Sequence, residues 1–339
     1  MYQMSNKIKM TSLILIVLGV IGVSAGFLST PNNVEEVKQQ MEASHDDNGE
    51  GHASADKKTN SEEGQAVGEH HADEKSHAEH AYTFLKNKPW SALFVSLLFF
   101  LLISLGAFVF YNIQLVSQAG WSPVLFRVME AISKYIVPGG ILVYIFLVLS
   151  SLHLNHLFVW MDPETVANDP VIQEKSGYLN IPFFLIRGAI YIGGWILFQK
   201  LIIKNENKQD NVFDLNLYKK NITYSVLFLA FFAITESMAS WDWIMSIDTH
   251  WFSTLIGWFV FASMFVSGIT TIAMVTVYLK SKGYLEMVND SHIHDLAKFM
   301  FGMSIFWTYL WFAQFMLIWY ANMPEEAVYY VTRMEDYQL

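Results

Sequence analysis

Ionisable groups crowd the stretch TESMASWDWIMSIDTHWFST, residues 235–254, at the join of two long apolar runs. Glu236, Asp242, Ser246, Asp248 and His250 are side chains that accept, donate or relay protons. Four further polar groups belong with them by position: His153 and His156 in SLHLNHLFVW, Arg187 in GYLNIPFFLIRGAIY and Gln314 in the last apolar run. A charge in hydrocarbon costs about 2.5–3.5 kcal/mol, so such residues face a bundle interior, pair with one another and tend to be functional. Arg187 is expected to pair with Glu236 or Asp242. On one helix Asp242 and Thr235, seven apart, share a face, while Glu236 shares another with Ser240 and Trp243, so the two carboxylates address different neighbours. For the histidines the chemistry is proton transfer near neutral pH or a hydrogen bond to a quinone carbonyl. Each has a plainer alternative: a structural ion pair for Arg187, and interfacial hydrogen bonding to loop carbonyls for the histidines.

The elements that must position these groups are membrane helices. Of 339 residues 53% are hydrophobic and only 15% charged, against roughly 25% charged in a soluble domain. About 20 apolar residues span a bilayer, and seven stretches qualify: about 11–29, 90–114, 138–160, 180–203, 222–244, 252–279 and 299–322. The reading is an all-α integral membrane protein, a polytopic helical bundle. The first stretch resembles a signal peptide, with Lys7 and Lys9 before it and Val23-Ser24-Ala25 after, but is read as a retained anchor, residues 1–29. Lys and Arg in the short loops set the orientation. With the N-terminus inside, twelve fall on the inner side and two, Lys175 and Arg333, on the outer side. The 235–254 stretch then faces outward, and a 1.5 Å rise per residue puts Glu236 roughly 12 Å and Arg187 roughly 10 Å below that surface. The inner halves of the spans carry almost nothing ionisable.

Residues 30–88 read as an acidic, His-rich, flexible loop on the outer side. Residues 35–80 alone hold 13 of the 31 acids and 4 of the 21 bases, too few apolar groups to bury a core. His45, His52, His70, His71, His77 and His80 lack a fixed ligand geometry, so a solvated spacer is read there and no metal site. Once that segment is set aside the charge is near neutral, which argues against a nucleic-acid partner. In PVLFRVMEAISKYI, 123–136, Val124, Val128, Ile132 and Tyr135 form one stripe, with Arg127, Glu130 and Lys134 on another face, as in a helix lying on the membrane surface. His292 and His294, before the last run, read as helix-capping and interfacial groups. Gly193, Gly194, Ala262, Ser263, Ser267 and Gly268 suit close helix packing. The chain has no cysteine, so no thiolate-held cluster and no CxxCH haem attachment. Nor can an i, i+3 histidine pair on one helix straddle a haem iron.

Longer stretches carry a family resemblance: WSPVLFRVMEAISKY (121–135), HLNHLFVWMDPE (153–164), GYLNIPFFLIRGAIY (177–191), ESMASWDWIMSIDTHWFST (236–254) and HIHDLAKFMFGMSIFWTYLWFAQFMLIWYANMPEE (292–326). Together they resemble the quinone-binding-type membrane subunits of alternative complex III, the bacterial quinol:cytochrome c oxidoreductase, within the NrfD-like (polysulfide-reductase) family. The resemblance covers 80–339 and the anchor-plus-acidic-loop layout before it. It implies a bundle, 89–339, with no redox centre of its own. The implied partners are a sister NrfD-like subunit, an iron–sulfur subunit with its clusters and c-type cytochrome subunits with their haems, in the bacterial inner (cytoplasmic) membrane. It further implies that Trp241, Asp242 and Ser246 belong to a quinone and proton region, and that further helices follow the segment ending at Leu339.

The functional expectation is therefore a membrane subunit that is not catalytic alone. Glu236, Asp242, His153 and His156 would relay protons on the periplasmic side, Arg187 would hold one carboxylate ionised, and Gln314 or a histidine would bond a quinone headgroup. The rival readings are a structural scaffold for haem and iron–sulfur subunits, and a secondary transporter. Transporters place their sites at midplane on broken helices, whereas these polar groups gather in one outer slab and the fifth and sixth spans have no Pro break.

Overall fold

The computed structural model describes residues 6–31, 33–36, 66–209, 214–322 and 324–331, with the side chains of 66–81, 325 and 326 left out. His45, His52 and Arg333, and the side chains of His70, His71, His77 and His80, lie outside the described residues. The described chain is helical throughout, with no strand. Its helices are α1 (Asn6–Leu28), α2 (Ala66–Val116), α3 (Phe126–Ser133), α4 (Ile136–Ser151), the short α5 (Pro163–Asn168) and α6 (Pro170–Lys175), α7 (Ile181–Gln209), α8 (Leu215–Trp243), α9 (Ile256–Ser281), α10 (Asp290–Ala321) and α11 (Pro324–Val331). Seven among the described residues are long and apolar enough to cross a membrane, α3 and α4 counting as one span. The protein is a multi-pass, all-α membrane protein.

Two compact units divide it, residues 1–93 with 155–157, and 94–154 with 158–339. In the first, α1 buries none of its residues, as suits a helix whose solvent is lipid. Phe27 meets Trp90 edge-to-face, ring centroids 5.0 Å apart, and Asn87 Oδ1 accepts the His156 backbone N–H at 3.0 Å. Helix α2 begins at Ala66, so the last third of the expected 30–88 loop is helical. Residues 66–88 are rich in Ala, Glu and Lys, good helix formers that prolong the adjoining span backwards, and Pro89 is accommodated within it.

In the second unit α2, α4, α7, α8, α9 and α10 form the bundle, with α4 on α7, α7 on α8, α8 on α9 and α9 on α10. Its core holds Leu101, Leu105, Phe108, Leu125, Met129, Trp195 and Phe228. Helix α2 crosses α9 backbone to backbone. A methyl group added at Gly106 would sit 2.3 Å from the Met264 carbonyl oxygen, and one at Gly268 2.6 Å from the Ala107 nitrogen. Gly268 thus packs as expected, and Gly194 lies against the Phe231 ring, but Gly193 faces open space.

Two expectations need correction. The third span ends at Ser151, not near 160. Leu149 and Ser150 carbonyls accept the N–H groups of Leu154 and His153, and His153 sits at φ 57°. That is a Schellman motif with histidine in the left-handed position usually given to glycine. Both histidines therefore lie beyond the helix and share no face of it, which removes the geometric premise used above against haem. Residues 123–136 do not form one amphipathic helix either. They make a 3-10 turn, Pro123–Leu125, then α3, then a bend into α4, and Glu130 points inward at 5% exposure instead of joining Arg127 and Lys134 outside. At the start of α10, Asn289 Oδ1 accepts the His292 N–H while His292 Nδ1 accepts the Asn289 N–H, the capping role read for His292.

Candidate functional site

Helices α7 and α8 lie side by side, and their apolar faces carry one polar interruption each at matching depth. Arg187, 3% exposed, sends Nε to Asp242 Oδ2 and Nη2 to Oδ1, both at 2.8 Å. Nη1 donates to the Tyr178 carbonyl at 3.0 Å. The Tyr191 hydroxyl gives Asp242 Oδ2 a further hydrogen bond at 3.0 Å. The guanidinium plane is covered by Tyr178, 3.9 Å from its ring centroid, and by Phe183 at 4.2 Å. A buried ion pair repays desolvation only with such geometry and with its remaining donors satisfied; here both conditions hold. In the loop before α7, burial pushes the Tyr178 hydroxyl up to about 12, the Asp242 charge adding to it.

The facing expected for α8 is what the contacts show. Thr235, two turns before Asp242, accepts a hydrogen bond from Trp195 Nε1 at 3.0 Å, so both address α7. Glu236 turns elsewhere. It is 5% exposed, accepts a hydrogen bond from Ser240 at 3.2 Å and makes no ion pair among the described residues. It borders a void of about 10 Å³ with Trp195, Ser240 and Trp243, room for about one water. The two carboxylates of one helix end are thus opposites: one clamped by a cation, the other buried without one.

Beside the clamp opens a cleft of about 200 Å³, walled by Tyr178, Trp241, Met245, Ser246, Trp251 and Phe252, with Lys175 and Asp248 at its border. Ser246 Oγ donates to the Asp242 backbone carbonyl one turn earlier, and Tyr178, whose carbonyl and ring both meet Arg187, belongs to cleft and clamp alike. Trp251, 6% exposed, stacks on Tyr329 of α11 at 3.9 Å. The indole N–H groups of Trp241 and Trp251 are both buried there without a hydrogen-bond partner. Buried donors of this kind ask for an acceptor, but atoms so enclosed do not face the cleft itself. The cleft is smaller than the roughly 300–1,000 Å³ of drug-sized sites, and its aromatic walls suit one flat ring.

The other expected residues fall around this centre unevenly. His250 Nε2 lies 2.6 Å from Asp169 Oδ2 at the surface. Asp248 Oδ1 accepts the Trp251 backbone N–H at 3.3 Å, and Lys175 Nζ donates to the Thr249 carbonyl, so both brace the loop beside the cleft. Gln314 donates to Ser253 Oγ at 2.9 Å and is not among the groups that line the cleft. His153 lies in the turn after α4. His156 belongs to the other unit. Tyr178 and Tyr191 were missed, because tyrosine reads as an interface aromatic until a buried ion pair shows what it serves. Trp251 stood only as one of seven tryptophans, Trp241, Trp243, Trp251, Trp258, Trp307, Trp311 and Trp319, that could include ring-stacking groups but mostly read as interface or packing aromatics.

Sequence reading also missed the opposite end of the bundle, where Lys200, Lys204, Lys219 and Lys220 gather. The inner halves of the spans were read as nearly free of ionisable groups, but the helices run past the expected bounds, 123–151 and 181–209, and so take in Glu130 and Glu206. Glu130 is buried and accepts Arg127 Nη1 at 2.7 Å, and Tyr111 lies within electrostatic reach of both acids. Glu130 was hidden because α3 reads as amphipathic with its acid outside.

No protein-family model matches the chain, and the curated proteins contain no relative that matches it.

Proposed function

We propose that this chain is a membrane subunit of a respiratory quinol:cytochrome c oxidoreductase in a bacterial cytoplasmic membrane, with the cleft on the periplasmic side. The observation that supports this best is the aromatic cleft, which shares Tyr178 with the buried Arg187–Asp242 pair. Bound quinol supplies two electrons and two protons on oxidation. The residues of this chain hold a ring between Trp251 and Tyr178. Arg187 and Tyr191 occupy both Asp242 oxygens, so Asp242 acts as a fixed negative charge that orients Arg187 and Tyr178. The proton-carrying role falls to Glu236, the one buried carboxyl at this end of α8 without a cation. Redox partners bearing haem and iron–sulfur clusters, and a sister membrane subunit, complete the reading.

An azido-quinone cross-linked to the purified complex tests it. Labels should fall within 245–252 and be lost when excess short-chain quinol competes; labels confined to other segments would overturn the quinone role. A scaffold that only anchors partner subunits is the second reading, favoured by the saturation of Asp242. It requires that W251F and W241F leave quinol turnover unchanged.

A further inference from the structure

The lysine-rich end of the bundle holds polar side chains with nothing to bond. Asn112 Nδ2 donates to the Phe108 carbonyl at 2.7 Å, which fixes its amide and leaves Oδ1 buried and unpartnered. Asn221 Nδ2 donates to Glu206 Oε2 at 3.1 Å, and its Oδ1 is likewise buried without a partner. Asn205 Nδ2 and Ser225 Oγ complete the set. Asn112, Asn221 and Ser225 are each 0% exposed, so bulk solvent does not reach them along any open surface.

These groups come from three helices and share one region. Phe108 of α2 packs on Phe228 of α8, centroids 4.6 Å apart. Helices α2 and α8 run in opposite directions as the second and fifth spans. Asn112, four residues after Phe108, and Ser225, three before Phe228, therefore lie about 6 Å and about 4.5 Å further toward the lysine-rich end. Asn221 stands one turn beyond Ser225 and reaches α7 through Glu206. Tyr111, next to Asn112, lies within electrostatic reach of Glu206 and Glu130.

Hydrophobic packing gives no reason for this collection, and each buried polar group left unmade costs about 1–3 kcal/mol. We infer that a cluster of ordered waters occupies this region, bonded to Asn112, Asn205, Asn221 and Ser225. Water is the ligand the chemistry selects. The set mixes acceptors, Asn112 Oδ1 and Asn221 Oδ1, with a donor, Asn205 Nδ2, and a hydroxyl; a metal cation would be met by the donor's hydrogens. Toward the Arg187–Asp242 clamp an aromatic layer follows, where Phe228 also meets Phe198 at 5.9 Å and Phe232 at 5.9 Å.

X-ray hydroxyl-radical labelling of the full chain in lipid nanodiscs, read by mass spectrometry, tests this, since radicals form from water already in place. Tyr111 should label several-fold faster than Phe184, which is as deeply buried but packs on rings, those of Phe158 and Trp160 among them. Replacing the polar lining, Asn221→Leu with Ser225→Ala, should lower Tyr111 labelling several-fold, and Ser225→Ala alone should lower it partly if the double variant fails to fold. The proposal is overturned if Tyr111 labels as slowly as Phe184. It is equally overturned if the apolar variants leave Tyr111 labelling unchanged while raising thermal stability, as they would in a dry pocket.

Discussion

The two polar regions of the bundle solve the same problem in opposite ways. At the cleft end, Arg187, Asp242, Tyr191, Trp195 and Thr235 satisfy one another from two adjacent helices. At the lysine-rich end, Asn112, Asn205, Asn221 and Ser225 keep atoms that no protein group reaches. The first is a closed arrangement whose members are indispensable to each other. The second is open, and its members depend on something other than protein. Where hydrocarbon surrounds the bundle, neither can be left to chance, because lipid offers no hydrogen bonds.

This contrast predicts a graded response to substitution. Removing one partner of the clamp should have the largest effect. Asp242→Ala or Arg187→Met leaves a buried charge unmatched and should cost about 3–5 kcal/mol, seen as a fall in unfolding midpoint in detergent. The pair Arg187→Met with Asp242→Leu should regain most of it; a double variant as unstable as either single one would break the claim that the clamp is a matched unit. Next comes the crossing of α2 and α9. Gly106→Ala and Gly268→Ala meet backbone atoms and should each cost about 1–3 kcal/mol, while Gly193→Ala, facing open space, should be close to neutral.

Smaller effects sharpen the comparison. Thr235→Val removes the acceptor of Trp195 Nε1 and should cost about 1–3 kcal/mol. Ser225→Ala, by contrast, gives up only water contacts and should stay near zero by the same thermal measurement. The smallest effect concerns Asp169. Partial desolvation raises its carboxyl, but the hydrogen bond from His250 and those from the Ile172 and Val171 N–H groups outweigh it and hold it below the ordinary 3.8. A depressed carboxyl contributes stability above its unfolded value, and that contribution is lost as pH falls through the lower folded value. A slight drop in midpoint is expected below about pH 4, absent in Asp169→Asn. Because the group is exposed, a large drop there would point to another titrating site.

The sequence made the spans and the clamp legible for a definite reason: charges in apolar runs are costly enough to stand out, and helical periodicity places Asp242 with Thr235 and apart from Glu236. It failed where the physics leaves no such mark. The end of α4 depends on His153 adopting a left-handed backbone, which no apolar count reveals. Glu130 looked exposed because a short amphipathic segment can turn either face inward, and only packing beneath Arg127 decides it. Asn112, Asn221 and Ser225 carry no charge, so a reading that looks for ionisable groups in apolar runs passes over a region built of amides and hydroxyls. The cleft was half legible: Trp241, Ser246 and Asp248 were singled out, whereas Tyr178 and Trp251 join them only through loop folding.

At Gly106 and Gly268 two helices touch with no side chain between them. Such a contact cannot be compressed, and parting it exposes bare peptide groups in a solvent unable to hydrate them. The crossing is thereby the place along these two helices where a side chain can least be added and where separation would be most costly.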